Sequence, residues 1–313
     1  MGRRPFPGGS NVGEATYRGR FAPTPSGPLH FGSVVAALGS WLDARAHGGE
    51  WHLRIDDLDP PRVVEGAAAS IVATLEGLGL AWDGPIVAQR HRTDACAEAL
   101  ERLATRAHLY RCVCSRREIA AAGLTGIEGP RYPGTCRERT DVPPATSAWR
   151  IDVRGTLVAF DDLLQGSVSQ DLEAAIGDFV LRRSDGVHTY HLACVVDDAA
   201  ARFTHVVRGA DLLDSTPRQI FLQRLLALPR PAYLHLPVAV DADGAKLSKQ
   251  TLAAPVSSDR PSATLARALT FLGHAPPADL IAAPPASLLE WATGHWDRAR
   301  IPRVRTAPLP ALR

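Results

Sequence analysis

From Arg18 onward the apolar positions switch between a strand-like and a helical period. Arg18 to Ala22 reads as a short strand running into the turn-rich Pro23-Thr24-Pro25-Ser26-Gly27-Pro28, after which Val34, Val35, Leu38, Trp41 and Leu42 recur at helical spacing. Gly48 and Gly49 stop that helix. Trp51 to Ile55 alternates as a strand and ends at Asp56-Asp57-Leu58-Asp59-Pro60, and the next helix carries Ile71, Val72, Leu75 and Leu78, with Asp57 and Asp59 placed to cap it. A further helix starts near Thr93 and turns Cys96, Leu100 and Leu103 inward. Strand, helix, strand, helix predicts an α/β unit with a parallel sheet.

At Tyr110 to Cys114 the style changes to short, loop-rich and cysteine-bearing, which predicts an inserted subdomain over 109–177. The α/β pattern resumes with strand-like runs at Asp178 to Arg182, Tyr190 to Val196 and Thr204 to Val207, and then a helix opened by Ser215-Thr216-Pro217. Leu234 to Val240 leads into the loop Asp241 to Gln250, and the last 63 residues hold nine of the 25 prolines, room for two or three short helices. The expected organisation is a leader over 1–17, an α/β unit over 18–108 and 178–250, the insert over 109–177, and a short C-terminal helical segment over 251–313, too short and proline-rich for a further large domain.

Composition narrows this further. With 45% hydrophobic and 22% charged residues the chain has ordinary globular usage, and a net charge of +2 excludes coating of a polyanion by the whole surface. No apolar run is long enough for a membrane span, and Met1 to Tyr17 lacks the apolar stretch of a signal peptide, so a cytoplasmic protein with no membrane partner is expected. Of the 35 basic residues 33 are Arg, and the only two Lys, Lys246 and Lys249, sit three apart in one loop. A chain that avoids Lys elsewhere points to a chemical need there.

Arg20 to Ser33 places a rigid strand-to-helix turn with His30 at its mouth, where backbone amides and the helix dipole favour phosphate. Taken singly, His30 reads more readily as an ordinary surface or core histidine than as a ligand contact. The two lysines change the balance, since cations on a Gly-containing loop can neutralise charge developing between phosphates as pyrophosphate leaves. Cys112, Cys114 and Cys136 fit a metal site or, by spacing alone, free buried thiols; Cys96 and Cys194 carry no motif and read as core thiols.

These motifs resemble those of class I aminoacyl-tRNA synthetases: His30-Phe31-Gly32 stands in their HIGH signature, and Lys246-Leu247-Ser248-Lys249-Gln250 is similar to their KMSKS loop. Arg20-Phe21-Ala22-Pro23, Arg54 to Asp59, Val195 to Asp198 and Val207 to Asp211 resemble the glutamyl branch, and the loop ending in Gln resembles the short glutamyl-Q tRNA(Asp) synthetase family. The resemblance implies a Rossmann-type parallel sheet with an inserted zinc-bearing subdomain. It implies L-glutamate, ATP with magnesium and tRNA(Asp) carrying queuosine as substrates, one zinc ion per chain, and a monomer. It places His30, Lys246 and Lys249 in catalysis and His30, Gly32 and Lys249 on ATP. Arg20, Phe21, Ala22, Pro23, Thr24, Asp56, Tyr190 and Arg208 fall on glutamate, the arginines suiting its carboxylates and Asp56, where the family has Glu, its ammonium. Cys112, Cys114, Tyr132 and Cys136 fall on zinc, with His108 or water as substitutes for Tyr132. Other readings of the same residues are a truncated glutamyl-tRNA synthetase that charges a tRNA 3′ end, and a zinc-bearing RNA-binding protein with an inactive nucleotide fold.

Overall fold

β1 (Arg18–Phe21) and β2 (Glu50–Ile55) run parallel, Arg18 opposite Glu50 and Phe21 opposite Leu53, with α1 (Phe31–Ala46) as the crossover between them. The computed structural model describes residues 16–241 and 260–309. After α2 (Ala67–Gly77) the short β3 (Val87–Ala88) adds to the other edge of β2, and α3 (Thr93–Ala104) follows. Apart from β3, these are the elements the alternating periods predict, and the sheet is parallel because helices return the chain to the same end between strands.

Next come β4 (Leu109–Cys112), α4 (Arg116–Ala121), the two-residue strands β5 (Thr125–Gly126) and β6 (Gly129–Pro130), β7 (Ala148–Ile151), β8 (Leu157–Asp162), β9 (Gly166–Asp171), α5 (Leu172–Ala175) and β10 (Phe179–Arg182). β10, β7 and β4 form an antiparallel sheet, so the run at Asp178 to Arg182 pairs with the cysteine-bearing stretch and not with the parallel strands. α6 (Tyr190–Ala200), β11 (His205–Gly209), α7 (Thr216–Leu226), β12 (Ala232–Leu236) and β13 (Val238–Val240) follow. β11 and β12 are parallel, and the chain entering β11 is tied to β1 by the Thr204 amide on the Arg18 carbonyl at 2.9 Å. Pro237 divides the run from Leu234 to Val240 between β12 and β13. α8 (Pro261–Phe271), α9 (Ala278–Ala282), α10 (Pro285–Gly294) and β14 (Thr306–Pro308), which pairs with β13, complete the described chain.

Three further expectations need correction. Tyr190 to Val196, read as a strand, is the first part of α6. Its buried residues include Leu192, Ala193, Cys194, Val195, Asp197 and Asp198, so burial runs almost all round the helix and takes in both acids. Asp57 and Asp59 do not cap α2, whose N-cap is Gly66; Asp57 instead accepts the Arg90 amide at 2.8 Å. Tyr17, at the end of the expected leader, is buried, stacks on His205 and donates to Asp43 at 2.6 Å.

One core lies between α1 and the sheet, with Leu38, Leu42 and Trp51 fully buried, and it is extended by Leu269 of α8 and Leu288 of α10. A second joins α3, α6 and α7 to β7, β8 and β10 through Leu103, Ile151, Leu181, Leu192 and Ile220. Each fully buried Leu or Ile contributes about 1.5–3 kcal/mol, so either core is a substantial platform for the strand ends it supports.

Candidate active site

The carboxyl ends of β1, β2, β11 and β12 open into a cleft of about 500 Å³. Parallel α/β sheets place ligands at this edge, because the loops leaving the strands and the helix N-termini converge there. Arg20, Phe21, Ala22, Pro23, Thr24, His30, Gly32, Asp56, Tyr190 and Arg208 all line this cleft, though they come from positions up to 188 residues apart in the chain. Lys246 and Lys249 lie outside the described residues.

The turn after β1 gets its shape from Gly27, whose φ of 134° is open to glycine at little cost. His30 is the N-cap of α1: its Nδ1 accepts the Ser33 amide at 3.3 Å, and no acid stands in the first turn to compete for the helix's positive end. The first turn of α1, with Gly32 and Ser33, therefore faces the cleft with its partial positive charge available to an anion.

Arg20 is buried and held by Asp198 of α6, Nη2 to Oδ2 at 3.1 Å and Nε to Oδ1 at 3.3 Å. The same carboxylate takes Arg54 Nη1 at 2.5 Å, and Arg54 Nε reaches Asp56 Oδ1 at 2.7 Å. Two guanidiniums thus share two carboxylates, and Cys194 Sγ touches Arg20, Arg54 and Asp198 at 3.4–3.8 Å. Burial works to raise the Asp198 carboxyl, but Arg20 and Arg54 overcome it and hold the group far below the usual carboxylate range. Asp56 goes the other way: burial raises it more than Arg54 lowers it. Neither Arg20 Nη1 nor Asp56 Oδ2 has a hydrogen bond within the described residues.

Across the cleft Arg208 is buried without any carboxylate partner among the described residues. Nη1 donates to Tyr190 Oη at 3.1 Å, Nη2 to Thr216 Oγ1 and Gln219 Oε1 at 2.8 Å each, and Nε to His235 Nε2 at 3.1 Å. Burial raises the Tyr190 hydroxyl to about 12, so it is neutral at physiological pH. Gly209 follows at close quarters: a Cβ there would meet Asp211 Oδ1 in hard contact, which explains the glycine between Arg208 and the turn.

Sequence reasoning assigned no role to Arg54 and Asp198, although both lie in segments it singled out, and it missed His235 and Asp162. The signal for Asp198 was a pair of acids at the end of an apolar run, and for His235 a histidine inside one.

Away from the cleft, Cys112, Cys114 and Cys136 have their Sγ atoms within 4.8 Å of one another, with Cys114 and Cys136 at 3.5 Å. Tyr132 Oη completes the group, 3.4 Å from Cys112 Sγ and 3.9 Å from Cys114 Sγ, and accepts the Cys136 amide at 2.8 Å. Metal–sulfur bonds of about 2.3 Å put the corners of a tetrahedron about 3.8 Å apart, so the donor set fits a tetrahedral metal ion. His108 points elsewhere, its Nδ1 at 3.3 Å from Asp152. Burial opposes ionisation of Cys136, yet the Val113 amide, Tyr132 and the neighbouring thiols bring it down to about 7. The Arg150 guanidinium lies 3.9 Å above the Tyr132 ring. The apolar core here is small, essentially Tyr110, Cys112, Tyr132, Cys136 and Val142.

Among the described residues no helix is long and apolar enough to cross a membrane. Residues 16–279 match the family described as class I tRNA synthetases (E and Q), catalytic domain. A glutamyl-Q tRNA(Asp) synthetase of Aromatoleum aromaticum is 53% identical over 94% of this chain and 93% of its own, and that of Dechloromonas aromatica is 53% identical over 94% and 99%. A crystal structure of the glutamate-tRNA synthetase of Elizabethkingia anophelis superposes with a TM-score of 0.78 at 24% identity, covering 95% of this chain and 68% of that one, and so shares the fold. With a cleft at the carboxyl edge of a parallel sheet and relatives at this identity along nearly the whole length, the chain belongs to the class I tRNA synthetases for E and Q, in the glutamyl-Q tRNA(Asp) synthetase family.

Proposed function

We propose that this chain activates L-glutamate with ATP and magnesium to glutamyl-adenylate and then transfers the glutamyl group to the queuosine of tRNA(Asp). The observation that carries the reading is Arg208, a buried guanidinium lining the cleft whose partners are all neutral groups. A buried charge without a counter-ion is costly, and a substrate carboxylate supplies one. The other carboxylate faces Arg20 Nη1, Asp56 Oδ2 accepts from the α-ammonium, and Phe21, Ala22, Pro23 and Thr24 form the adjoining wall. The relatives named as glutamyl-Q tRNA(Asp) synthetases support glutamate as the dicarboxylate and tRNA(Asp) as the acceptor.

In the first step an oxygen of the α-carboxylate attacks the α-phosphorus of ATP, and pyrophosphate leaves with the electrons of the broken P–O bond. His30, Gly32 and the amino end of α1 hold the phosphates, and Lys246 and Lys249 neutralise the charge that develops between the α and β phosphates. In the second step a hydroxyl of the queuosine cyclopentenediol attacks the acyl carbon, gives up its proton, and AMP leaves. Cys112, Cys114, Cys136 and Tyr132 hold one zinc ion, which fastens the loop-rich stretch around them. The protein acts as a cytoplasmic monomer.

The test is transfer of labelled glutamate to tRNA(Asp) with and without queuosine, each also prepared without its 3′-terminal adenosine. Labelling that needs queuosine and survives loss of the adenosine is expected. Labelling that needs the adenosine identifies a charging enzyme instead, and no labelling of any sample rejects both.

A further inference from the structure

Asp162, at the end of β8, and His235, in β12, are both fully buried behind Arg208. Asp162 Oδ1 accepts the backbone amides of Leu164, Gln165 and His235 at 3.0, 2.9 and 3.2 Å, which fixes the carboxylate in place. Its Oδ2 lies 2.6 Å from His235 Nδ1. A carboxylate oxygen only accepts, so the imidazole proton sits on Nδ1 and Nε2 keeps a lone pair. That lone pair faces Arg208 Nε at 3.1 Å and lies equally close to Thr216 Oγ1, whose hydroxyl proton can go instead to the Leu212 carbonyl at 3.2 Å. With Nε on His235, Nη2 on Thr216 and Gln219, and one proton of Nη1 on Tyr190, a single Nη1 proton is left for the cleft.

We propose that Asp162 and His235 are a positioning pair that turns the Arg208 guanidinium so that Nη1 meets the carboxylate of the bound amino acid. The pair touches no substrate atom. It sets the donor pattern of a buried cleft arginine that has no carboxylate partner among the described residues, and Asp162 supplies it from the stretch expected as an inserted subdomain. The inference rests on the reading that Arg208 receives the glutamate carboxylate.

Asp162→Asn is nearly isosteric but turns an acceptor toward His235 into a donor. The imidazole proton then moves to Nε2 and opposes the Arg208 Nε proton, two donors facing each other. In glutamate-dependent ATP and pyrophosphate exchange, Asp162→Asn is expected to raise the KM for glutamate about tenfold or more and leave the KM for ATP within about twofold. His235→Phe should do the same, whereas His235→Gln, which keeps one donor and one acceptor, should recover most of the loss. Nitrogen NMR should find His235 protonated on Nδ1 in the parent and on Nε2 in Asp162→Asn.

A folded Asp162→Asn with unchanged glutamate KM, or with glutamate and ATP KM rising together, overturns the proposal. If Asp162→Asn does not fold, the two His235 variants decide, and equal effects of Phe and Gln overturn it. Arg208→Gln separates this inference from the reading beneath it. If Arg208→Gln leaves the glutamate KM unchanged, the reading fails; if it raises KM while Asp162→Asn does not, only the positioning role fails.

Discussion

Asp198 holds Arg20 by two nitrogens at 3.1 and 3.3 Å, and so a carboxylate from α6 aims an arginine from β1 into the cleft. Because Arg54 uses the same carboxylate, removing its charge leaves two buried guanidiniums with Asp56 alone. Asp198→Asn is therefore expected to lower the stability by about 3–5 kcal/mol, measured by urea unfolding, since a broken buried pair leaves an uncompensated charge. A loss below about 1 kcal/mol would mean that water or substrate-side groups already neutralise the arginines.

His30 serves two ends that can be separated. As the N-cap of α1 it satisfies the Ser33 amide, and in the proposed reaction its ring holds phosphate. His30→Ala should cost about 1 kcal/mol of stability, which Asn restores because it caps well. Both variants should slow pyrophosphate exchange about a hundredfold, as expected when a preorganised donor to a reacting phosphate is lost. Recovery of exchange in His30→Asn would reduce the residue to a cap.

For Lys249 the expectation is a loss of adenylate formation of about tenfold or more in Lys249→Ala, from the leverage of a fixed charge on a phosphoryl-transfer transition state. Near-normal exchange in that variant would remove Lys249 from the mechanism.

The cleft was legible because its residues stand at strand ends in segments with strong local signatures: Arg20 through Thr24 before a turn, His30 at a helix start, Asp56 after an alternating strand. What holds those residues was not legible. Asp198 and His235 act through partners 178 and 27 residues away, and no period or spacing announces such a contact. α6 was misread for a related reason. The helix is buried on nearly every side, and its short apolar run with the β-branched pair Val195-Val196 tips the choice toward a strand.

His235 also sets a pH dependence. Burial lowers its pKa, with Arg208 adding to the effect and Asp162 opposing it, to about 4 from an ordinary 6.5. Between those values the unfolded chain binds a proton that the folded protein refuses, so this contribution is complete above pH 6.5 and is lost as the pH falls toward 4. The full amount is about 3 kcal/mol. His205 is likewise held near 4, first by burial, but remains in both proteins when the parent is compared with His235→Gln. Urea midpoints measured from pH 7.5 to 4.5, an interval of about three units, should therefore converge as the pH falls. Parallel curves would show that His235 carries no such penalty in the folded state.

The thiol group offers the last test, because its ligands differ in what they can lose. Cys136 has its Sγ 3.5 Å from that of Cys114 and its amide on Tyr132 Oη, so Cys136→Ser removes a metal corner while keeping the amide contact. Tyr132→Phe keeps three thiolates and removes only the oxygen, a position that water can fill. The parent should bind one zinc per chain by elemental analysis. Tyr132→Phe should keep it but release it to a chelator at an affinity about 10–100-fold weaker, and Cys136→Ser should purify without it. With Tyr110, Cys112, Tyr132, Cys136 and Val142 as its only substantial apolar core, this part of the chain has little else to order it. Limited proteolysis should then cut between Cys112 and Val142 in Cys136→Ser and in the chelated parent, well before the parallel sheet is attacked. Equal zinc retention in Tyr132→Phe and the parent would show that the tyrosine oxygen is a neighbour of the metal and not a ligand.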